Sequence, residues 1–373
     1  MVTSLLDAAR GVAPVVAAHA DAAEHDRRLP AATVAALVEA GLMRMCVPRA
    51  YGGPEASPVE LVEAIAAVAE VDGAAGWCTM IAATTSSMSL FLPPDWAQVI
   101  YGDPGVVTGG VYAPNGKAVR KGDHWVVDGR WAWGSGTQHC RWITGGAVTD
   151  AGEFHLMFLD AHDVQFHDTW HTVGMRGTGS LDFSVAGARV PVGRSVMPGV
   201  SRPTIDVPLA AFPNFSLLAS GVAAVSLGVA RRALDEFTEL AQGKRPLFSA
   251  RTLAHSGVVQ AELARAQAGL RAAWGLLIGE LSDAWRTVLD GGTVDVPHRA
   301  RIRLAAVHAA EVSAKATDAA FTWAGGSSVY DTSVLPRCWR NAHVASQHLM
   351  VSPRLYETLG RAMMGLEVDT VTL

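Results

Sequence analysis

Apolar positions along the first hundred residues recur at helical spacing. In LPAATVAALVEAGLMRMCVP, Val34, Leu37, Val38 and Leu42 fall on one face, and Pro48 stands beyond the end. SPVELVEAIAAVAEVDG opens with Ser57 as an N-cap, Pro58 at the first helical position and Glu60 three residues after the cap. That arrangement predicts a capping box, with Gly73 as the stop. AAGWCTMIAATTSSMSLFLPP carries no charge at all and predicts a helix buried on every side, ended by Pro93 and Pro94. From about residue 104 the period shortens to two: Gly, Val, Thr and Trp alternate with polar residues. GKAVRKGDHWVVDGRWAW predicts a β-hairpin turning at Lys121–Asp123, with Trp131 and Trp133 on the same face. From about residue 205 helical spacing returns. Val259, Leu263, Ala266, Leu270, Trp274, Leu277 and Leu281 form a ridge, and Ile302–Trp323 predicts a further long helix stopped by Gly325 and Gly326. The expected architecture is α+β: an N-terminal helical domain over 1–103, a central antiparallel β-barrel or sandwich over 104–204, and a C-terminal four-helix bundle over 205–373.

Composition narrows the function classes. Half of the 373 residues are hydrophobic and 17% are charged, which excludes a disordered chain. A net charge of −5 gives no electrostatic reason to bind nucleic acid. Cys46, Cys78, Cys140 and Cys338 are scattered without a CxxC pair, so reduced thiols and a cytoplasmic location are expected. The uncharged runs Ala74–Leu92 and Leu217–Ala230 read as buried helices and not as membrane spans. His155, His162, His167 and His171 have no carboxylate or thiol cluster beside them, so no metal is expected. GTGSLD lacks the third glycine of a dinucleotide fingerprint, and no GxSxG elbow appears.

GRWAWGSGTQHCRW (Gly129–Trp142) is the chemically pointed stretch. It holds three tryptophans and a serine between glycines. Flat rings beside a stretch of backbone that can approach closely suit a flat ligand.

Four segments resemble the acyl-CoA dehydrogenase superfamily across nearly the whole chain. They are LVEAGLMRMCVPRAYGG (Leu37–Gly53), WHTVGMRGTGSLDFSVAGARVP (Trp170–Pro191), FTWAGGSSVYDTSVLPRCWRNAH (Phe321–His343) and the closing ETLGRAMMG. One group of dehydrogenases carries its proton-abstracting Glu where this chain has Leu349, and no Asp or Glu lies between Asn341 and Arg354. Ser135, Gly136 and His139, Trp339–His348, GGVYAPNGKA and DGAAGWCTMI instead resemble the two-component flavin monooxygenases related to phenol and hydroxyphenylacetate hydroxylases. Asn341 departs from that pattern, standing where Asp is usual.

That resemblance implies an oxygenase component. It would take reduced FMN or FAD from a separate reductase and form a C4a-hydroperoxyflavin that hydroxylates an aromatic or other electron-rich small molecule. His348 and Ser135 would be catalytic, His348 as a base. Trp133, Ser135, Pro114, Asn115, Gly325 and Gly326 would border the flavin, and Arg251 or Arg245 would meet its phosphate. Trp77, His139 and His348 would line the substrate pocket. A homotetramer is expected on the same ground. The alternatives are a thioester-oxidising dehydrogenase drawing its base from Glu236 or Glu239, and a non-catalytic scaffold of the same fold.

Overall fold

The computed structural model describes residues 4–370 and 373. Among the described residues six α-helices come first: α1 (Leu5–Gly11), α2 (Ala13–Asp26), α3 (Ala31–Glu39), α4 (Pro58–Val71), α5 (Gly73–Ser86) and α6 (Pro94–Tyr101). The capping box stands as expected: the Ser57 N–H donates to Glu60 at 2.9 Å and the Glu60 N–H donates back to the Ser57 hydroxyl at 3.3 Å. The uncharged helix stops earlier than its composition suggests, because α5 tightens into a 3-10 turn at Ser87–Leu90. The buried Arg44 guanidinium gathers the carbonyls of Tyr51, Gly52 and Tyr101, so the PRAYGG segment is held from within.

Seven strands follow: β1 (Thr108–Lys121), β2 (His124–Gly134), β3 (Trp142–Thr149), β4 (Phe154–Asp160), β5 (Gln165–His167), β6 (Leu181–Pro191) and β7 (Ser195–Val196). They form one sheet in the order β5-β6-β2-β1-β3-β4-β7. β1 and β2 make the expected hairpin, with Lys121 opposite His124. The sheet is mixed, which corrects the antiparallel expectation: β1 and β3 run parallel. β2 carries the chain back to the start of β1, so residues 135–141 need only cross beneath that start before β3 begins. The crossing is tight, since a Cβ on Gly109 would come within 3.0 Å of the Cys140 sulfur. Between Val111 and Gly116, β1 takes five steps while β3 takes two, from Gly145 to Ala147, so Tyr112–Asn115 face Gly146 alone in a bulge whose Pro114 and Asn115 are exposed. Trp131 fills the middle of the sheet. It is fully buried, stacks on Phe183 at 5.1 Å and donates to the Gly146 carbonyl at 2.8 Å. A Cβ on Gly116, Gly129 or Gly145 would meet the indole at 2.5–2.7 Å, so those glycines form its slot.

The remaining helices are α7 (Asn214–Gly243), α8 (Gly257–Leu289), α9 (Val296–Ala324), α10 (Val334–Ala345) and α11 (Leu355–Met363). α7 is long and apolar enough to cross a membrane, and every residue from Ser216 to Ala230 is buried inside the protein. Val259, Leu270, Leu277 and Leu281 of the α8 ridge are buried, while Trp274 lies half-buried under the Arg231 guanidinium at 4.1 Å. Gly325 ends α9 with φ +56.

By compactness the chain divides into two units, along lines other than the change of secondary structure. One takes the chain up to Ala64, Trp77–Thr172 and Arg176–Asn214; the other takes Ile65–Gly76, Val173–Met175 and Phe215–Leu373. The second unit gathers the end of α4 because Gly228 on α7 admits it: a Cβ there would lie 2.4 Å from the Ala66 carbonyl oxygen.

Candidate active site

The crossing loop after β2 holds most of the expected site residues of the first unit. Ser135 is 6% exposed and sits in a chain of hydrogen bonds. The Trp77 indole N–H donates to its Oγ at 3.0 Å, the Ser180 Oγ lies 2.7 Å away, and the Thr178 Oγ1 lies 2.6 Å from Ser180. α5 supplies the indole, and the segment leading into β6 supplies the other two hydroxyls. The loop is pinned by the Gly136 N–H, which donates to the Thr178 carbonyl at 2.9 Å. Ser135 lines a small cleft with Met43, Cys78, Ile81, His139 and Cys140. Trp77, expected in the pocket, is 8% exposed and belongs to this network.

Trp133 departs from the alternation that should place it beside Trp131. It is 73% exposed and its φ is +66, a left-handed backbone that ordinary side chains adopt at a cost. The pairing of β2 with β6 slips between Trp131 and Gly134, which turns the indole outward. Pro114 and Asn115 are exposed on the β1 bulge. His139 is half-buried and lines both the cleft and an outer depression with Arg28, Leu29, Gln138 and Phe166. Burial, and then the Arg28 charge, push its pKa down to about 4, so the ring is neutral at neutral pH.

In the second unit His348 is half-buried just beyond α10. Burial, and then the Arg303 charge, push its pKa down to about 4. Its Nδ1 accepts the Met350 N–H at 3.2 Å and caps the Leu349–Val351 turn. In the neutral ring that leaves the proton on Nε2, so His348 meets a partner as a donor. The base expected from the sequence would have to give up the cap. Glu236 is held by Arg232, one turn earlier on α7, and Glu239 is exposed. Asn341 is 3% exposed and its side-chain oxygen accepts the Met175 N–H at 2.6 Å. The amide keeps the acceptor and avoids burying a charge.

Gly325 and Gly326 are exposed, and a Cβ on Gly326 would meet nothing within 4 Å. The cation beside them is Lys244, which donates to the Ala324 carbonyl and lies 3.7 Å from the Cβ position of Gly325. Arg245 and Arg251, named from sequence, lie exposed in the following loop. Sequence reasoning also missed Ser180, Thr178 and Asp318. The last accepts from the Trp339 indole at 2.7 Å and bonds His343 at 2.8 Å. Nothing local in the GTGS run signals that the Ser180 hydroxyl meets Ser135, 45 residues away.

Each unit by itself offers groups that suit part of a flavin. An indole held in solvent on a strained backbone offers a face to a ring system, and the Ser135 hydroxyl has a valence left for a ring nitrogen. An open glycine turn with an ammonium beside it suits a phosphate.

The model of the acyl-CoA dehydrogenase N-terminal domain matches residues 4–92, and that of the C-terminal domain matches 220–353. Indole-3-acetate monooxygenase of Pseudomonas putida is 31% identical over 331 residues, covering 87% of this chain and 84% of its own. The flavin-dependent monooxygenase oxygenase subunit HsaA of Rhodococcus jostii is 29% identical, covering 96% of this chain and 98% of its own. Among solved structures, XiaF from Streptomyces sp., in complex with FADH2 and glycerol, superposes with a TM-score of 0.92 at 26% identity, over 98% of this chain and 96% of that one.

Proposed function

The chain belongs to the acyl-CoA dehydrogenase superfamily, among the oxygenase components of flavin-dependent monooxygenases, and on that premise we propose that it hydroxylates a small electron-rich aromatic using reduced FAD delivered by a separate reductase. The single observation that carries the site assignment is Trp133. A residue kept in left-handed conformation to hold its side chain 73% exposed serves something that covers it. The bound flavin would supply the two electrons that activate dioxygen.

This chain's residues do the rest. Trp133, Pro114 and Asn115 would bear on the ring, and Trp133 would keep water from one part of it. Ser135 would hold a hydrogen bond at N5. Lys244, with the open backbone at Gly325 and Gly326, would meet phosphate. His348 would donate from Nε2 to a substrate oxygen, favouring the ionised form of a phenol. His139 would line the substrate cleft as a neutral ring.

The thioester-oxidising alternative is disfavoured: residues 341–354 contain no carboxylate, Glu236 is paired with Arg232, and Glu239 is exposed. FAD is chosen over FMN because the XiaF relative carries FADH2. A cytoplasmic homotetramer completes the reading, and sedimentation tests the assembly.

The deciding experiment supplies purified protein with FAD, a flavin reductase and NADH under 18O2 across phenols and indoles. Incorporation of one labelled oxygen into a product supports the reading. Absence of any product, together with bleaching of bound FAD by an acyl-CoA, overturns it.

A further inference from the structure

We propose that Ser180 and Thr178 are positioning residues that make the Ser135 hydroxyl a two-way contact, able to give a hydrogen to the flavin or take one from it while its other valences stay filled. The inference rests on the reading that places Ser135 against the flavin.

A serine hydroxyl has one hydrogen to give and two lone pairs to accept with. The Trp77 indole can only donate, so it occupies one lone pair of Ser135 at 3.0 Å. One hydrogen and one lone pair remain. Ser180, at 2.7 Å, takes one of them, and the other is left for a ligand. Ser180 also has a single hydrogen, and Thr178 stands 2.6 Å on its far side.

The senses of the two hydroxyl contacts are therefore linked. If Ser180 donates to Ser135, Thr178 must donate to Ser180, and Ser135 presents its hydrogen to the ligand. If Ser135 donates to Ser180, the hydrogen of Ser180 is released to Thr178, and Ser135 presents a lone pair. Reversing the chain moves no heavy atom.

A flavin demands both senses, because its N5 carries a hydrogen when reduced and a bare lone pair when oxidised. Against oxidised flavin Ser135 must donate, and against reduced flavin it must accept. Only the second state needs Ser180. Without it, the Ser135 hydrogen would be left inside the protein, where Ser135 is 6% and Ser180 2% exposed. A stranded buried donor costs far more than a stranded hydroxyl lone pair.

The test is anaerobic titration of the purified protein with FAD, oxidised and chemically reduced, in the wild type and in Ser180→Ala, Ser180→Thr, Thr178→Val and Ser135→Ala. Ser180→Ala should weaken reduced FAD about tenfold and oxidised FAD less than about twofold, the cost of one unmet buried hydroxyl. The same change is a shift of about −30 mV in the two-electron midpoint potential of the bound flavin. Thr178→Val should move the ratio in the same direction, and Ser180→Thr should restore it. In a Ser135→Ala background, Ser180→Ala should add nothing, whereas a merely structural role would add.

Equal weakening of both redox forms by Ser180→Ala, or additivity with Ser135→Ala, overturns the proposal. If Ser135→Ala weakens neither redox form of FAD, Ser135 does not meet the flavin, and the underlying reading fails instead.

Discussion

Trp131 and Trp133 are two residues apart on one strand and live in different physical regimes. In the sheet interior, Trp131 is fully buried in a slot cut by three glycines, with its N–H satisfied by the Gly146 carbonyl. At the end of the sheet, Trp133 stands in solvent on a left-handed backbone. The interior invests in stability; the end carries strain and leaves an indole in solvent, which on the proposed reading a ligand would cover.

That contrast can be broken by experiment. Trp131→Ala should cost the most, about 3–5 kcal/mol of unfolding free energy in a denaturant titration. Gly145→Ala, which drives a methyl to within 2.7 Å of the same indole, should cost less, about 1–3 kcal/mol.

At the sheet's end the acid response is the next measure. His139 holds its pKa near 4 in the folded protein against an ordinary 6.5. The unfolded chain therefore binds the proton first, and stability is complete above pH 6.5 and falls as pH drops towards 4. His348 contributes in the same window and with the same sign. His139→Phe should flatten part of that slope, as followed by thermal unfolding against pH; an unchanged slope would place the burden elsewhere.

The smallest effect on stability belongs to Trp133→Gly. Relief of the left-handed backbone offsets the greater freedom of the unfolded chain, so unfolding free energy should stay within about 1 kcal/mol of the wild type. FAD affinity should fall all the same. A loss of stability like that of Trp131→Ala would erase the distinction between the two tryptophans.

What could be read from the sequence follows the range of the forces involved. The Ser57–Glu60 box, the hairpin at Lys121–Asp123 and the α8 ridge depend on neighbours within a few residues, and they stand where spacing put them. The parallel partnership of β1 with β3 depends on where β2 returns the chain, which no local pattern records. Alternation misplaced Trp133 because a single positive φ resets it. The Ser135 assignment came from a resemblance, but its partners Ser180 and Thr178 become visible only when distant segments meet. Lys244 stands at the glycine turn through its bond to the Ala324 carbonyl, 80 residues away, which no local pattern records. The donor sense of His348 is fixed by a cap on its own turn, a detail below the resolution of a motif.

The sulfur atoms around Gly136 carry one more consequence. Cys140 lines the cleft beside Ser135, and burial drives its thiol well above the ordinary range. Peroxides attack thiolates and largely spare thiols. Any peroxide reaching this cleft would therefore meet the sulfur in the form that it oxidises most slowly.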